Sequence, residues 1–307
     1  MRAQRAKLVW REERSDEGNP SRSANTSTHS VLVKPHNALL NADVERQPLD
    51  LSEAIPALAG NGWRAMVRGV LDRLLGINNV REVFRRAAES KDAPFEASLR
   101  GFGVRLEAIG LENIPVDGPV CLMANHPLGG ADALALGTLC EMRRPAFHLL
   151  ANRMAASLPG ISPYCLPLSI MGNDEESRRS NASTLRKVLS KLREGTCIAV
   201  FPSGEVAHWT GHGVVEGPWS HHILALAKRA HAVVVPVNFH ASAPVWFHLL
   251  GAAHPIVRSA LIPRVALASS GMSLRATVGK PIHPGDALLD SPADLRAATL
   301  RLTDPGA

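Results

Sequence analysis

Beyond Pro94 the chain alternates short apolar runs of strand length with longer runs of helical period. This alternation narrows its possible folds more than any other feature. Strands are predicted at 102–109, 119–124, 146–151, 197–201, 233–239 and 274–278, and helices at 132–142, 182–193, 220–230 and 245–250. The best defined helix carries Leu185, Val188, Leu189 and Leu192 on one face. Asn181 or Ser183 is a candidate cap at its start, and Gly195 a stop at its end. Strands interleaved with helices predict an α/β domain over residues 95–290, with a mixed, partly parallel central sheet flanked by helices. In such sheets chemistry gathers where strands end, which directs attention to the residues after Ala124, Phe201 and Val237.

The segments outside this domain read differently. Residues 1–50 are polar with little periodicity, the pattern of a flexible leader with one short extended piece at 31–33. Residues 51–94 form an amphipathic, basic helical segment. Trp63, Met66, Val67, Val70, Leu71, Leu74 and Leu75 fall on a helical stripe, with Arg64, Arg68 and Arg73 off it. A second helical stretch is expected at 80–88. From Trp63 to Arg105 nine basic residues face five acidic ones. Such a helix either lies on an anionic membrane surface or packs on the domain with its charges solvated. Residues 291–307 are expected to be a C-terminal tail.

Composition bounds the function classes. At 307 residues the chain is long enough for one or two domains with a real core. With 45% apolar and 20% charged residues it is neither a disordered chain nor an integral membrane bundle. No run approaches the ~18 apolar residues that a spanning helix needs. The start has no apolar stretch of a secretory signal. Four cysteines without a C-x-x-C pair argue against a disulfide scaffold and a cysteine zinc site, and fit a reducing cytosol. The net charge of +6 suggests an acidic partner. Aromatic content of 4% and the absence of a Lys/Arg-rich run argue against nucleic acid.

Three stretches could carry chemistry. After 119–124 comes Asn125-His126-Pro127-Leu128-Gly129-Gly130-Ala131-Asp132. A histidine near a carboxylate is the minimum unit of general-base catalysis. Six residues along a straight helix turn about 600°, so the pair meets only if the chain bends, and Pro127 with Gly129-Gly130 supplies a bend. Asp132 then falls in the first turn of a helix, where the dipole favours its ionised form. The bland alternative is a loop histidine with Asp132 as a plain cap. After 197–201 comes Pro202-Ser203-Gly204-Glu205. It lacks the G-x-S-x-G of a nucleophile elbow, so it suits binding of a hydroxyl or phosphate, or is an ordinary turn. The run 173–181, with adjacent Arg178 and Arg179, reads as a charged loop that holds a phosphate or carboxylate or is simply solvated. His208 and His212 are spaced i, i+4, but Gly211 and Gly213 argue against a helix there and no H-E-x-x-H frame exists, so no metal site is expected.

Together these motifs resemble the lysophospholipid (glycerolipid) acyltransferase superfamily, the phospholipid/glycerol acyltransferase domain. The form His-Pro-Leu-Gly-Gly looks most like its bacterial haemolysin-like or ornithine-lipid branch. The resemblance runs from Phe95 to Ile282. Its first block is Asn125, His126 and Asp132, its third Phe201-Pro202-Ser203-Gly204, its fourth Val234-Val235-Pro236-Val237, and its second is matched loosely to 168–179. The usual His-x4-Asp spacing is His-x5-Asp here, and the usual third-block Glu is replaced by Ser203, with Glu205 two places on.

The resemblance implies an acyltransferase that moves a fatty acyl chain from an acyl carrier protein or coenzyme A thioester to the hydroxyl of a lysolipid. His126 would act as base and Asp132 would orient it. Asn125, Gly129, Gly130, Arg178, Arg179, Ser203, Gly204 and Glu205 would bind substrate. No acyl-enzyme, metal or cofactor is implied. The expected location is cytoplasmic, peripheral on the inner face of the cell membrane, with an anionic membrane surface as partner and no nucleic acid. Two alternatives stand beside it: an esterase or thioesterase using the same His-Asp pair with water, and a non-enzymatic peripheral membrane-binding protein.

Overall fold

A computed structural model of the chain describes residue 49 and residues 56–90, 92–169, 175–210, 212–247 and 255–304. The leader at 1–50 and the extended piece at 31–33 lie outside them, apart from Leu49, which is buried. The elements run α1 (Trp63–Leu75), α2 (Ile77–Ala87), α3 (Pro94–Gly101), β1 (Arg105–Ile109), β2 (Val120–Ala124), α4 (Ala131–Arg143), β3 (Phe147–Asn152), α5 (Arg153–Ala156), β4 (Cys165–Leu168) and α6 (Glu175–Arg193). They continue with β5 (Cys197–Val200), a small hairpin of β6 (His208–Trp209) and β7 (Val214–Val215), α7 (His221–Arg229), β8 (Val233–His240), α8 (Pro255–Ala268), β9 (Ser273–Val278) and α9 (Pro292–Leu300).

The main sheet has seven strands in the order β1-β9-β8-β2-β5-β3-β4. It is parallel at every pairing except β8 with β9. The fold is therefore the expected α/β class with a mixed, mostly parallel sheet. β2 lies between β8 and β5, and every residue of β2 and β5 is buried. Strands covered on both faces carry continuous apolar runs. On β2, Val120, Leu122 and Ala124 join one core with α2, α3, α4 and α8, whereas Cys121 and Met123 join a second core with α6, α7 and α9. The alternation of side chains along one strand thus builds helix layers on both faces.

Two polar groups, the buried Arg144 and the half-buried Glu141, lock this frame. The Arg144 guanidinium donates to the carbonyls of Pro115 (2.8 Å), Gly118 (2.7 Å) and Gly195 (2.7 Å), tying the loops that feed β2 and β5. Glu141 accepts from the N–H groups of Phe95 (2.8 Å) and Glu96 (2.9 Å), the orphan donors at the start of α3. Burial pushes its carboxyl up to about 7, although both N–H bonds pull the other way.

Several expected boundaries are corrected. The first strand starts at Arg105, not 102, because Pro94 at the first helical position opens α3 and Phe102 closes it. α6 begins at Glu175, so the run expected as a charged loop is helical from there, and residues 170–174 lie outside the described set. Asn181 and Ser183 are therefore inside the helix and do not cap it. Gly195 does end α6, with a positive φ of 82° and its N–H on Leu192 O. Of the helix expected at 245–250, residues 245–247 are helical and 248–250 lie outside the described residues. β4 and α8 were not expected. The tail expected at 291–307 contains α9, capped by Ser291 and packed through buried Leu295 and Thr299.

Segment 51–94 joins the domain core through Ile77, Val80 and Phe84. Its first helix splits the expected stripe. Val67, Leu71 and Leu75 pack against the core, while Trp63, Met66, Val70 and Leu74 remain 65%, 68%, 51% and 65% exposed.

One packing constraint gives a direct test. A Cβ on Gly137 of α4 would fall inside the ring of Phe95, which is fully buried and packs on Phe147 and Tyr164. Gly137→Ala is expected to lower stability by about 1–3 kcal/mol in urea unfolding, overpacking outweighing the gain in helix propensity. Unchanged or raised stability would show that this ring gives way freely.

Candidate active site

β8, β2 and β5 are adjacent and parallel, so their carboxyl ends open at the same edge of the sheet. Asn125 follows β2 and continues it by side-chain chemistry. Its Oδ1 accepts from Phe239 N (2.7 Å) and its Nδ2 donates to Phe239 O (3.1 Å) on β8. The amide thus reproduces one more rung of the ladder. It is buried, and both ends of its amide are taken by the Phe239 backbone.

His126 comes next. Its N–H donates to Glu216 Oε2 (3.0 Å) and its carbonyl accepts from Ala207 N (2.8 Å), so both peptide groups are held by the 207–216 segment. Its imidazole stacks on Phe201, just past β5, with ring centroids 3.8 Å apart and planes 17° apart. Nδ1 lies 3.2 Å from Asp132 Oδ2, and the side chain keeps 14% of its surface exposed.

Asp132 has no exposed surface and sits in the first turn of α4. Oδ2 also accepts from Leu128 N (2.8 Å), and Oδ1 from Ala133 N (2.9 Å). Two backbone donors and the positive end of a helix stabilise a buried carboxylate where an unpaired one would be very costly. The bend expected between the pair is present. Gly129 adopts φ of 88°, a left-handed conformation that favours glycine. A Cβ there would press on Val206 at 3.1 Å and Ile262 at 3.4 Å, and one on Gly130 would touch Ala266 at 3.4 Å, so the bend nests against α8. An imidazole whose Nδ1 faces an ionised carboxylate carries its proton there, which leaves Nε2 as the acceptor.

Residues 105–240 match the family model described as Acyltransferase. Over 196 residues the chain is 26% identical to a lyso-glycine lipid O-acyltransferase of Phocaeicola vulgatus, covering 62% of this chain and 68% of that protein. A lyso-glycine lipid O-acyltransferase of Bacteroides thetaiotaomicron is 24% identical over the same length, covering 62% and 70%. Over residues 105–240 the chain is thus similar to the acyltransferase domain of the glycerolipid acyltransferase superfamily. A 1-acyl-sn-glycerol-3-phosphate acyltransferase of Borreliella burgdorferi is 29% identical over 112 residues, 36% of this chain and 43% of that protein. Among solved structures, the 1-acyl-sn-glycerophosphate acyltransferase PlsC of Thermotoga maritima aligns with a TM-score of 0.43 at 16% identity, over 83% of this chain and 86% of that one. The family model and the two lyso-glycine lipid O-acyltransferases support an enzyme over the non-enzymatic alternative.

Within this acyltransferase the other expected site residues divide. Ser203, Gly204 and Glu205 form the turn after Phe201, beside the His126 ring. The Ser203 hydroxyl donates to the Glu205 carbonyl (3.0 Å), and the Glu205 carboxylate occupies the space that Gly217 leaves by having no side chain. Arg178 and Arg179 are not brought to His126. They lie exposed on α6, which packs on the face of the sheet against β4 and β5, and Arg179 pairs with Glu175 one turn earlier. Asn181 instead bonds the Ser169 backbone through both Oδ1 and Nδ2 at 2.8 Å, extending β4 as Asn125 extends β2. Glu216, which no sequence motif marks, is the residue that sequence reasoning missed.

Asn125→Ala strands the buried Phe239 N–H and is expected to cost about 1–3 kcal/mol in chemical unfolding. A loss within experimental error would mean that the amide is not part of the sheet's support.

Proposed function

We propose that this acyltransferase moves a fatty acyl chain from a thioester of acyl carrier protein or coenzyme A to the hydroxyl of a lysolipid, with His126 as general base and Asp132 as its orienting partner. The observation that carries this reading is the 3.2 Å contact between His126 Nδ1 and a fully buried Asp132 carboxylate at the carboxyl edge of β2. The two lyso-glycine lipid O-acyltransferases support a lysolipid acceptor and make an amino-acid-headed lysolipid the first to try.

The steps follow from the chemistry of the pair. Nε2 takes the proton of the acceptor hydroxyl as its oxygen attacks the thioester carbonyl. The imidazolium forms against Asp132. Amide groups at Gly129-Gly130, where α4 begins, stabilise the oxyanion of the tetrahedral intermediate. Collapse breaks the C–S bond, and the departing thiolate recovers the proton from Nε2, leaving an ester and a free thiol. No acyl-enzyme is required. Among the described residues no hydrogen bond joins Ser203 to His126, and its hydroxyl is turned to the Glu205 carbonyl. Ser203, Gly204 and Glu205 position the acceptor beside the ring.

Delivery of a lipid to this edge falls to α1. Its exposed stripe of Trp63, Met66, Val70 and Leu74 is flanked by Arg64, Arg68 and Arg73, a pattern suited to an anionic membrane surface on the inner face of the cell membrane. Leu267 of α8 fills the space above Gly76 at the end of α1, and Ile262 and Ala266 of the same helix lie on Gly129-Gly130. One helix therefore connects the docking face to the catalytic bend. Among the described residues no helix is long and apolar enough to cross a membrane.

The test is acyl transfer to lyso-glycine lipid carried in anionic vesicles, with free fatty acid measured alongside. His126→Ala is expected to lose at least about 1,000-fold in kcat and Asp132→Asn at least about 100-fold. Activity near wild type in His126→Ala would sink the mechanism, and fatty acid release insensitive to added lysolipid would favour the hydrolase. In the same vesicles, Trp63→Glu with Met66→Glu is expected to weaken binding at least tenfold in sedimentation. Unchanged binding would remove α1 from the docking role.

A further inference from the structure

Glu216 is a buried carboxylate that the mechanism above does not use. Its Oε2 accepts from His126 N (3.0 Å) and its Oε1 from the indole Nε1 of Trp219 (3.2 Å). Its own carbonyl takes the guanidinium of Arg296, reaching over from α9. One residue thus joins the loop after β2, the segment leading to α7 and the last helix. With Asp132 on the imidazole and Glu216 on the peptide N–H, His126 is framed by two buried carboxylates drawn from different parts of the chain.

We infer that Glu216 is a positioning residue of the acyl transfer, holding the main chain of His126 at the sheet edge. The inference rests on the reading of His126 as general base and extends it. A peptide N–H anchored on both sides, at Glu216 and through Ala207 N to the His126 carbonyl, fixes the ring against Phe201 and Asp132. The charged and titratable groups around Glu216 are His126 and Asp132, Glu205 across Gly217, His208 near Glu205, and Arg296 from α9. Burial pushes the Glu216 carboxyl above the ordinary carboxylate range, and the N–H bonds from His126 and Trp219 oppose that shift. Activity that needs Glu216 ionised gains an acid limb from that group. Removing the carboxylate therefore moves the limb toward lower pH.

The experiment compares wild type with Glu216→Gln, Glu216→Ala and His126→Ala in acyl transfer to lyso-glycine lipid from an acyl-coenzyme A or acyl carrier protein thioester, across pH. Glu216→Gln keeps the shape and one acceptor for the His126 N–H. It is expected to lower kcat by about 10- to 100-fold, leave KM for donor and acceptor within about twofold, and shift the acid limb of kcat/KM downward. Glu216→Ala is expected to lose more, and should it fail to fold, Glu216→Gln carries the test alone. Wild-type kcat and an unmoved acid limb in Glu216→Gln would overturn the inference, as would a rise confined to the KM of the acceptor, which would make Glu216 a binding residue. An active His126→Ala would instead remove the base itself. An inactive His126→Ala beside an unaffected Glu216→Gln overturns this inference alone.

Discussion

A carboxylate with no solvent contact must be answered by its surroundings, and the candidate site at the carboxyl edge of the sheet is organised around how Asp132 is answered. Leu128 N–H and Ala133 N–H bind it from the backbone, the start of α4 contributes its dipole, and His126 completes the set. The backbone donors exist only because the chain bends sharply between residues 126 and 132. That bend in turn needs Gly129 in a conformation other residues rarely adopt. The same bond that satisfies a buried charge therefore selects the imidazole tautomer that leaves Nε2 as an acceptor.

The frame around this pair is built from distant pieces. Asn125 uses its amide to continue the β2–β8 ladder past the end of the strand, so His126 leaves the sheet from a fixed rung. Phe201 offers a flat wall from β5, and the 207–216 segment holds both peptide groups of His126. Arg144, at the far end of α4, ties the loops entering β2 and β5 and so sets the relative height of the two strands. α8 packs on both the bend, through Ile262 and Ala266, and the end of α1, through Leu267, so one helix joins the two.

Much of this was legible in the sequence because the central strands are covered on both faces and must be apolar throughout. The strand cores of β2, β3, β5, β8 and β9 and the helical period of α4, α6 and α7 follow from that requirement. The meeting of His126 with Asp132 was legible from the glycines and Pro127 between them. The rest was hidden for identifiable reasons. Pro263 inside α8 masks that helix as a break, and β4 is a four-residue edge strand containing Pro167. α9 carried a readable signal in Ser291-Pro292 followed by Asp294, a cap with proline at the first helical position. Arg178 and Arg179 looked like ligands because adjacent arginines often are, yet they sit on the outer face of α6. Glu216 stands in no motif, and only the folded chain reveals that its carboxylate meets the His126 peptide. The exposed half of the α1 stripe could not be separated from the packed half, since both share one helical period.

The most direct probe of the His126–Asp132 relation is the nitrogen-15 spectrum of the His126 imidazole in the intact enzyme at neutral pH, assigned by comparison with His126→Gln. A carboxylate facing Nδ1 fixes the proton on that nitrogen, and the spectrum is expected to report the Nδ1–H tautomer, lost in Asp132→Asn. A neutral ring protonated on Nε2, or a spectrum indifferent to Asp132→Asn, would contradict a base oriented by that carboxylate.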